Sequence, residues 1–307
     1  GSISALAVAL AEYFSAFWPL SPIQVKLFAV GVIILLTVIN CYGIKFGSIV
    51  QNAFMIGKLI PILLIAVLGL IMGSAKNPMT MSPVLPGASG SPAGTFAVAL
   101  VAALWAYEGW TNLNTVAEEI KNPRRNLPLA IIIAITGVTL VYVIFNYALF
   151  KVLPVATIVA SNPKPGAVAA EKLLGGVGRS VFILGAFISI FGSCNGCVLA
   201  FPRYYYAMAK DGLFFGCFGR VHPKYRTPVN ALIASGAASV LLVFSGTFSQ
   251  LTTTVVFASW VYYILTICSL FVLRRKYPGM KRPYKVWGYP ALPMIVVAAS
   301  SFILVNT

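Results

Sequence analysis

Acidic charge is nearly absent from this 307-residue chain: Asp and Glu together number 6, against 22 Lys and Arg, and there is a single His. Charged side chains of either sign amount to only 9%, while hydrophobic ones reach 59% and the mean hydropathy is +0.91. A soluble domain of this size could not cover its surface with so few polar groups, so the composition excludes a water-soluble fold and requires lipid. The same scarcity removes most reaction chemistry. His222, the one histidine, lies in a loop beside Pro223, and no His, Cys, Asp or Glu group has metal-ligand spacing. No nucleophile with an adjacent base is evident either, so the chain is not read as an enzyme, and neither a cofactor nor a metal is expected. The five cysteines fall in apolar segments or in loops of one side, which leaves none for a disulfide on the other side. Cys194-Asn195-Gly196-Cys197 has redox-motif spacing but lacks the βαβ setting that such a pair needs; small residues in an apolar helix more often serve packing.

What is present is length without charge. Uncharged stretches cover 27–44, 127–150, 180–202, 227–273 and 286–307, with 59–75 nearly as long. Each is long enough to cross a bilayer as a helix, and 227–273 is long enough to cross twice, divided by Ser245-Gly246-Thr247-Phe248-Ser249-Gln250. Barrel strands would be about half as long and would alternate in polarity. The pattern predicts an all-α polytopic membrane protein with about nine spans, at 1–18, 26–43, 49–73, 95–120, 128–151, 179–203, 228–246, 252–273 and 289–306. Residues 1–307 read as a single transmembrane domain, with no soluble domain and no short tandem repeat. No signal-peptide pattern is visible in the first residues, which enter a helix directly. The long loop 151–179 has room for a short helix at 167–174, and the helix ending near Arg203 is expected to project beyond the bilayer.

A net charge of +16 would suggest nucleic acid in a soluble protein, but its placement argues otherwise. Alternating sides along the nine spans puts Lys45, the Lys121/Arg124/Arg125 group, the loop from Arg203 to Arg226 and the loop from Arg274 to Lys285 together. The opposite side holds Lys26, Lys76, Lys151, Lys164, Lys172 and Arg179, and Lys58 lies within a span. By the positive-inside rule the richer side is cytoplasmic, so the cations report orientation and no nucleic-acid partner is expected.

The sharpest local signal is Trp105-Ala106-Tyr107-Glu108-Gly109-Trp110 inside the fourth span. Neither half of that span, at about 16 and 18 Å, crosses the roughly 30 Å hydrocarbon core alone, so Glu108-Gly109 falls near the midplane. A carboxylate at that depth is costly, and the adjacent glycine weakens the helix by up to about 1 kcal/mol. The pattern suggests a discontinuous helix, whose exposed backbone groups and half-helix ends can bind a substrate's ammonium and carboxylate. A continuous helix, with Gly109 giving close packing and Glu108 neutral or paired, is the alternative.

That motif, followed by Asn112-Leu113-Asn114, Glu118-Glu119 and Asn122-Pro123-Arg124-Arg125-Asn126-Leu127-Pro128, resembles the sixth helix and following loop of the L-type amino-acid transporters, the light subunits of heteromeric carriers within the APC superfamily. Thr37-Val38-Ile39-Asn40-Cys41-Tyr42, Gln51-Asn52-Ala53-Phe54 and Gly57-Lys58-Leu59 are similar to the family's fourth and fifth helices. Phe191-Gly192-Ser193-Cys194-Asn195-Gly196 resembles the eighth, and His222-Pro223-Lys224-Tyr225-Arg226-Thr227-Pro228 the entry of the ninth. Arg282-Pro283-Tyr284-Lys285 stands where the family enters its eleventh. Bacterial alanine-serine-cysteine exchangers are the nearest likeness.

The resemblance implies a LeuT-like inverted repeat, of which this chain covers the third to eleventh helices and lacks the first, second and twelfth. Since the family holds the substrate carboxylate at the break of its first helix, the 307 residues by themselves would neither bind nor transport amino acid. The implied substrate site comprises Trp105 as an aromatic gate, backbone groups of Trp105, Ala106, Tyr107, Glu108 and Gly109 toward the α-amino group, and Tyr142, Ser259 and Trp260 around the pocket. Packing or lipid contact is the alternative role for the tryptophans, while Asn40, Asn146 and Asn195 are expected to hydrogen-bond between helices more often than to touch ligand.

Lys58 lies about 15 Å into its span, where an unpaired ammonium would cost about 2.5 to 3.5 kcal/mol. Resemblance assigns it to the place where sodium-coupled relatives of the same fold hold an ion, facing 189–195 with Ser193 and Asn195; a lysine snorkelling to the interface is the alternative. The implied function is sodium-independent exchange of small neutral amino acids by alternating access at the plasma membrane. A proton-coupled or cationic amino-acid carrier stays open through Glu108, and a channel more remotely. The loop from Trp18 to Ile23 lacks the cysteine that joins animal family members to their heavy chain, so no disulfide-linked heavy chain is expected and a prokaryotic source is favoured. Amino-acid substrates and membrane lipid are the expected partners.

Overall fold

The computed structural model describes residues 1–42, 44–75, 77, 96, 99–100, 103–113, 120–161, 164–282 and 285–305, of which 44–56 and 303 by backbone alone. Every regular element among these residues is helical. In chain order they are α1 (Ser2–Phe14), α2 (Pro22–Cys41), α3 (Ile44–Met72), α4 (Pro123–Val152), α5 (Val155–Ala160), α6 (Pro165–Lys210), α7 (Val229–Val243), α8 (Phe248–Lys276) and α9 (Ala291–Val305), with a 3-10 turn at Gly216–Gly219. Among the described residues α2, α4, α6 and α8 are long and apolar enough to cross a membrane, and α1, Gly57–Met72, α7 and the start of α9 are shorter apolar helices. Large apolar side chains such as Ile34, Leu63, Ile71, Leu140, Val143, Leu241 and Leu265 stand exposed along them. Lipid is the solvent such faces require.

The chain divides into two compact units, Gly1–Met79 with Ile133–Phe248 and Thr80–Ile132 with Ser249–Thr307. In the first, α1 is enclosed by α2, α6 and α7, burying Ile3, Ala5, Ala7, Val8, Leu10 and Ala11. Its small side chains let the neighbouring backbones come close, and Ser4 Oγ donates to the Ser239 carbonyl of α7 at 2.9 Å. The start of α2 is fixed by a capping box, Ser21 N donating to Gln24 Oε1 at 2.8 Å and Gln24 N to Ser21 Oγ at 3.4 Å, with Pro22 at the first helical position. α3 packs on α6 where Gly185 meets Pro61: a Cβ there would stand 2.5 Å from Pro61 Cγ, so only glycine fits. A second cluster, Ile65, Leu149, Val152, Leu153, Ala169 and Ala170, joins α3 to the end of α4 and the beginning of α6.

The short helix expected at 167–174 and the span at 179–203 are both present, joined as one element by a left-handed elbow at Gly175 (φ 68°). The helix continues to Lys210, past the predicted span end. α4 begins at Pro123 rather than at 128, because the Asn122 carbonyl accepts from both Arg125 N (3.1 Å) and Asn126 N (3.0 Å) and proline needs no donor at a helix start.

Four lysines of this unit donate to carbonyls at helix C-termini: Lys26 to Phe244 (3.5 Å), Lys151 to Leu70 (2.7 Å), Lys164 to Glu12 (2.8 Å) and Lys172 to Val152 (2.7 Å). Those carbonyls have no partner inside their own helix, and a cation there also meets the negative end of the helix dipole. Burial lowers the Lys164 amine below the ordinary lysine value, an effect that Glu12 opposes and Arg179 adds to.

Candidate functional site

In the second unit, the segment at the predicted break is helical through Ala106, turns at Tyr107–Gly109 and resumes as a 3-10 turn over 110–113. Tyr107 N donates to Leu104 O and Glu108 N to Trp105 O, both at 3.1 Å, so the last helical turn tightens to three-residue spacing before the chain leaves the helix. Gly109 then takes φ 113°, a backbone that an L side chain enters only under strain, and Asn112 N closes on its carbonyl at 3.0 Å. The continuous-helix alternative does not describe these residues. Glu118 and Glu119 lie outside the described residues.

Glu108 has an internal partner. The Tyr263 hydroxyl of α8 donates to Glu108 Oε1 at 2.6 Å, both groups being half-buried. The Tyr263 ring also meets Trp110 (centroids 5.8 Å apart) and, edge to face, Trp260 (5.7 Å, 82°). One turn back, Val256 of α8 is fully buried and carries Leu100, Leu104, Trp105 and Trp260 against it. Val256, Trp260 and Tyr263 recur at helical spacing on one face of α8, so a single helix face supports the break, the carboxylate and both flanking tryptophans.

The structure thus brings together Trp105, Glu108 and Trp260 of the predicted residues, with Ala106, Tyr107 and Gly109 between them in the chain and Ser259 half-buried beside Trp260. Tyr263 was not among the predictions. Its signal was available in the sequence as the position three residues after Trp260, on the same helix face, in reach of a carboxylate that required a donor.

Tyr142, Lys58, Ser193 and Asn195 belong to the first unit. Tyr142 is half-buried on α4, its carbonyl accepting from Asn146 Nδ2 at 2.8 Å. Lys58 is half-buried on α3, immediately after Gly57, whose open face meets Ile188 of α6 at the edge of the predicted 189–195 segment. Ser193 Oγ donates to Ser189 O at 3.0 Å within its helix. Asn195 Oδ1 accepts from Asn40 Nδ2 at 2.8 Å, a buried link between α6 and α2. This is the hydrogen bond between helices expected of both asparagines, whereas Asn146 bonds the Tyr142 carbonyl within its own helix. Cys194 and Cys197 of α6 are not joined in a disulfide, and Cys194 is buried with its sulfur 3.8 Å from Ile3 O. Among the described residues no group of three or more His, Cys, Asp or Glu could hold a metal.

Apolar helices long enough to cross a membrane, with one segment interrupted at a carboxylate, define a polytopic α-helical membrane protein. The amino acid permease family model matches residues 1–307, and the chain belongs to that family. It is 34% identical over 284 residues to the serine/threonine exchanger SteT of Bacillus subtilis, covering 92% of this chain and 64% of the relative. It is 32% identical over 297 residues to the b(0,+)-type amino acid transporter 1 of Mus musculus (96% of this chain, 59% of the relative). Against the human cystine/glutamate transporter it is 33% identical over 280 residues (89% and 53%). The chain therefore spans between about half and two thirds of the length of these curated relatives.

Proposed function

We propose that the protein is a sodium-independent exchanger of small neutral L-amino acids that works by alternating access across the plasma membrane, with its basic loops cytoplasmic and residues 1–307 forming one transmembrane domain. The observation that carries this reading is the break at Tyr107–Gly109. A helix opened beside a tyrosine-held carboxylate offers backbone polar groups to a zwitterion without a dedicated charged side chain for each end. Family membership and relatives named as amino-acid transporters and exchangers support the same reading. Trp105 is then the gate, the backbone of 105–109 receives the α-amino group, and Tyr142, Ser259 and Trp260 border the side chain. Lys58 stands in for a coupling cation near Ser193 and Asn195. The protein works as a carrier rather than an enzyme or a channel. No disulfide joins it to a heavy chain, since no cysteine occurs between Trp18 and Ile23.

One observation favours a second reading. Glu108 is a carboxylate beside the break, and a cationic side chain entering there would compete with the Tyr263 hydroxyl for it. Competition in liposomes containing the full-length protein separates the two. Unlabelled alanine, serine or cysteine should displace labelled alanine better than lysine or arginine does, with or without sodium. Stronger competition by lysine or arginine, abolished by Glu108→Gln, would replace the neutral assignment with the cationic one.

A further inference from the structure

We propose that the last turn of α8 and the turn that follows it form a docking surface for the phosphate headgroups of anionic lipids. Residues 274–282 contain Arg274, Arg275, Lys276, Lys281 and Arg282 and no acidic residue. One of these cations builds the turn that follows α8, and another holds the chain beyond it. The Arg282 guanidinium folds back onto it, Nη1 donating to Pro278 O (3.2 Å) and Met280 O (3.1 Å) and Nη2 to Tyr277 O (2.7 Å). The Arg274 guanidinium lies 3.7 Å from the centre of the Tyr289 ring, which itself packs on Phe271 of α8, so Tyr289, beyond the turn, is held against the end of the helix.

The other three, Arg275, Lys276 and Lys281, stand exposed, and among the described residues none of them pairs with a carboxylate. Arg275, Lys276 and Lys281 repel one another at the end of one helix, and an anion bound there relieves that repulsion, while Lys276 Nζ also lies 5.6 Å from the centre of the Tyr277 ring. The lysines of the first unit contrast with them: Lys26, Lys151, Lys164 and Lys172 each donate to a helix carbonyl.

The depth of the turn selects the anion. Arg274, Arg275 and Lys276 are the last residues of a membrane-crossing helix, Lys281 and Arg282 lie in the turn after it, and Val272, Leu273, Tyr277 and Met280 stand exposed beside them. Apolar and cationic side chains interleaved at a helix end match the boundary between acyl chains and headgroups, where lipid phosphates are the anions present. Orientation by the positive-inside rule requires cations on this side but not a turn whose shape an arginine holds. Nearby anionic lipid contributes about fivefold in association for each such cation, and salt screens it.

The test uses the full-length protein in phosphatidylcholine vesicles carrying a spin-labelled phosphatidylglycerol or phosphatidylcholine. At low salt the wild type should prefer the anionic label several-fold, the preference falling as salt is raised. Replacing Arg275, Lys276 and Lys281 by Gln should remove most of it, whereas replacing Lys210, Arg220 and Lys224, equally exposed in other loops, should not. Inorganic phosphate at low concentration should not displace the lipid. The proposal is overturned by a wild-type preference that ignores salt, by equal loss in the two triple variants, by no loss in the first, or by displacement with inorganic phosphate.

Discussion

Tyr263→Phe removes one hydroxyl from the centre of the site and leaves everything else in place. The ring keeps its contacts with Trp110 at 5.8 Å and Trp260 at 5.7 Å, while Glu108 loses the donor that stands 2.6 Å from Oε1. A hydrogen bond to a charged group contributes about 1.5 to 3 kcal/mol, and because both partners are only half-buried the lower end applies, which is roughly a tenfold effect. If the bond positions Glu108 at the helix break, subsaturating exchange in liposomes should fall about tenfold, and selectivity between alanine and lysine should change. Glu108→Gln should alter selectivity as well. Combined with Tyr263→Phe it should add much less than the sum of the two, because residues joined by one bond couple by about 0.5 to 3 kcal/mol. Strictly additive losses, or a Tyr263→Phe protein with wild-type exchange and selectivity, would show that this hydroxyl does not position the carboxylate.

Lys58→Ala should lower exchange and weaken substrate affinity while expression and insertion stay normal; unchanged kinetics would leave the snorkelled lysine as the better description. Gly109→Ala meets only an ordinary contact, Asn112 Nδ2 at 3.7 Å, so its effect is backbone strain at φ 113°, about 1 to 3 kcal/mol. It should lower thermal stability and exchange well below Gly137→Ala, a control with nothing within 4 Å, and equality of the two variants would count against a required left-handed turn. Gly185→Ala puts a methyl 2.5 Å from the Pro61 ring, which is tied to its own backbone and cannot swing away. Overpacking of this kind costs about 1 to 3 kcal/mol, seen as a lower melting temperature in detergent, and no shift would mean that α3 and α6 separate freely.

The spans were legible because lipid demands uninterrupted apolar length, a property that needs no knowledge of neighbours: every predicted span outside 95–120 has its helix, from Ser2–Phe14 to Ala291–Val305. The break was legible too, since glycine beside a carboxylate at the midplane conflicts with a regular helix. What stayed hidden depends on residues far apart in sequence. Asn40 and Asn195 were each recognised as polar residues in a span, but their pairing across 155 positions follows from how α2 lies on α6. Tyr263 and Glu108 are likewise 155 positions apart. Four lysines of the poorer side, Lys26, Lys151, Lys164 and Lys172, cap helix ends, as Lys164 does for α1 across 152 positions, and Lys76 lies outside the described residues. Gly175 was a loop residue by composition, and only its φ of 68° shows that it joins two helices.

Counterflow decides the central claim. Vesicles holding the full-length protein and loaded with unlabelled alanine or serine should accumulate labelled alanine transiently and saturably, in sodium-free buffer, and empty vesicles should not. Uptake that ignores the internal amino acid, requires sodium, or appears as unsaturable conductance in single-channel recording would contradict an exchanger built on the break at Tyr107–Gly109.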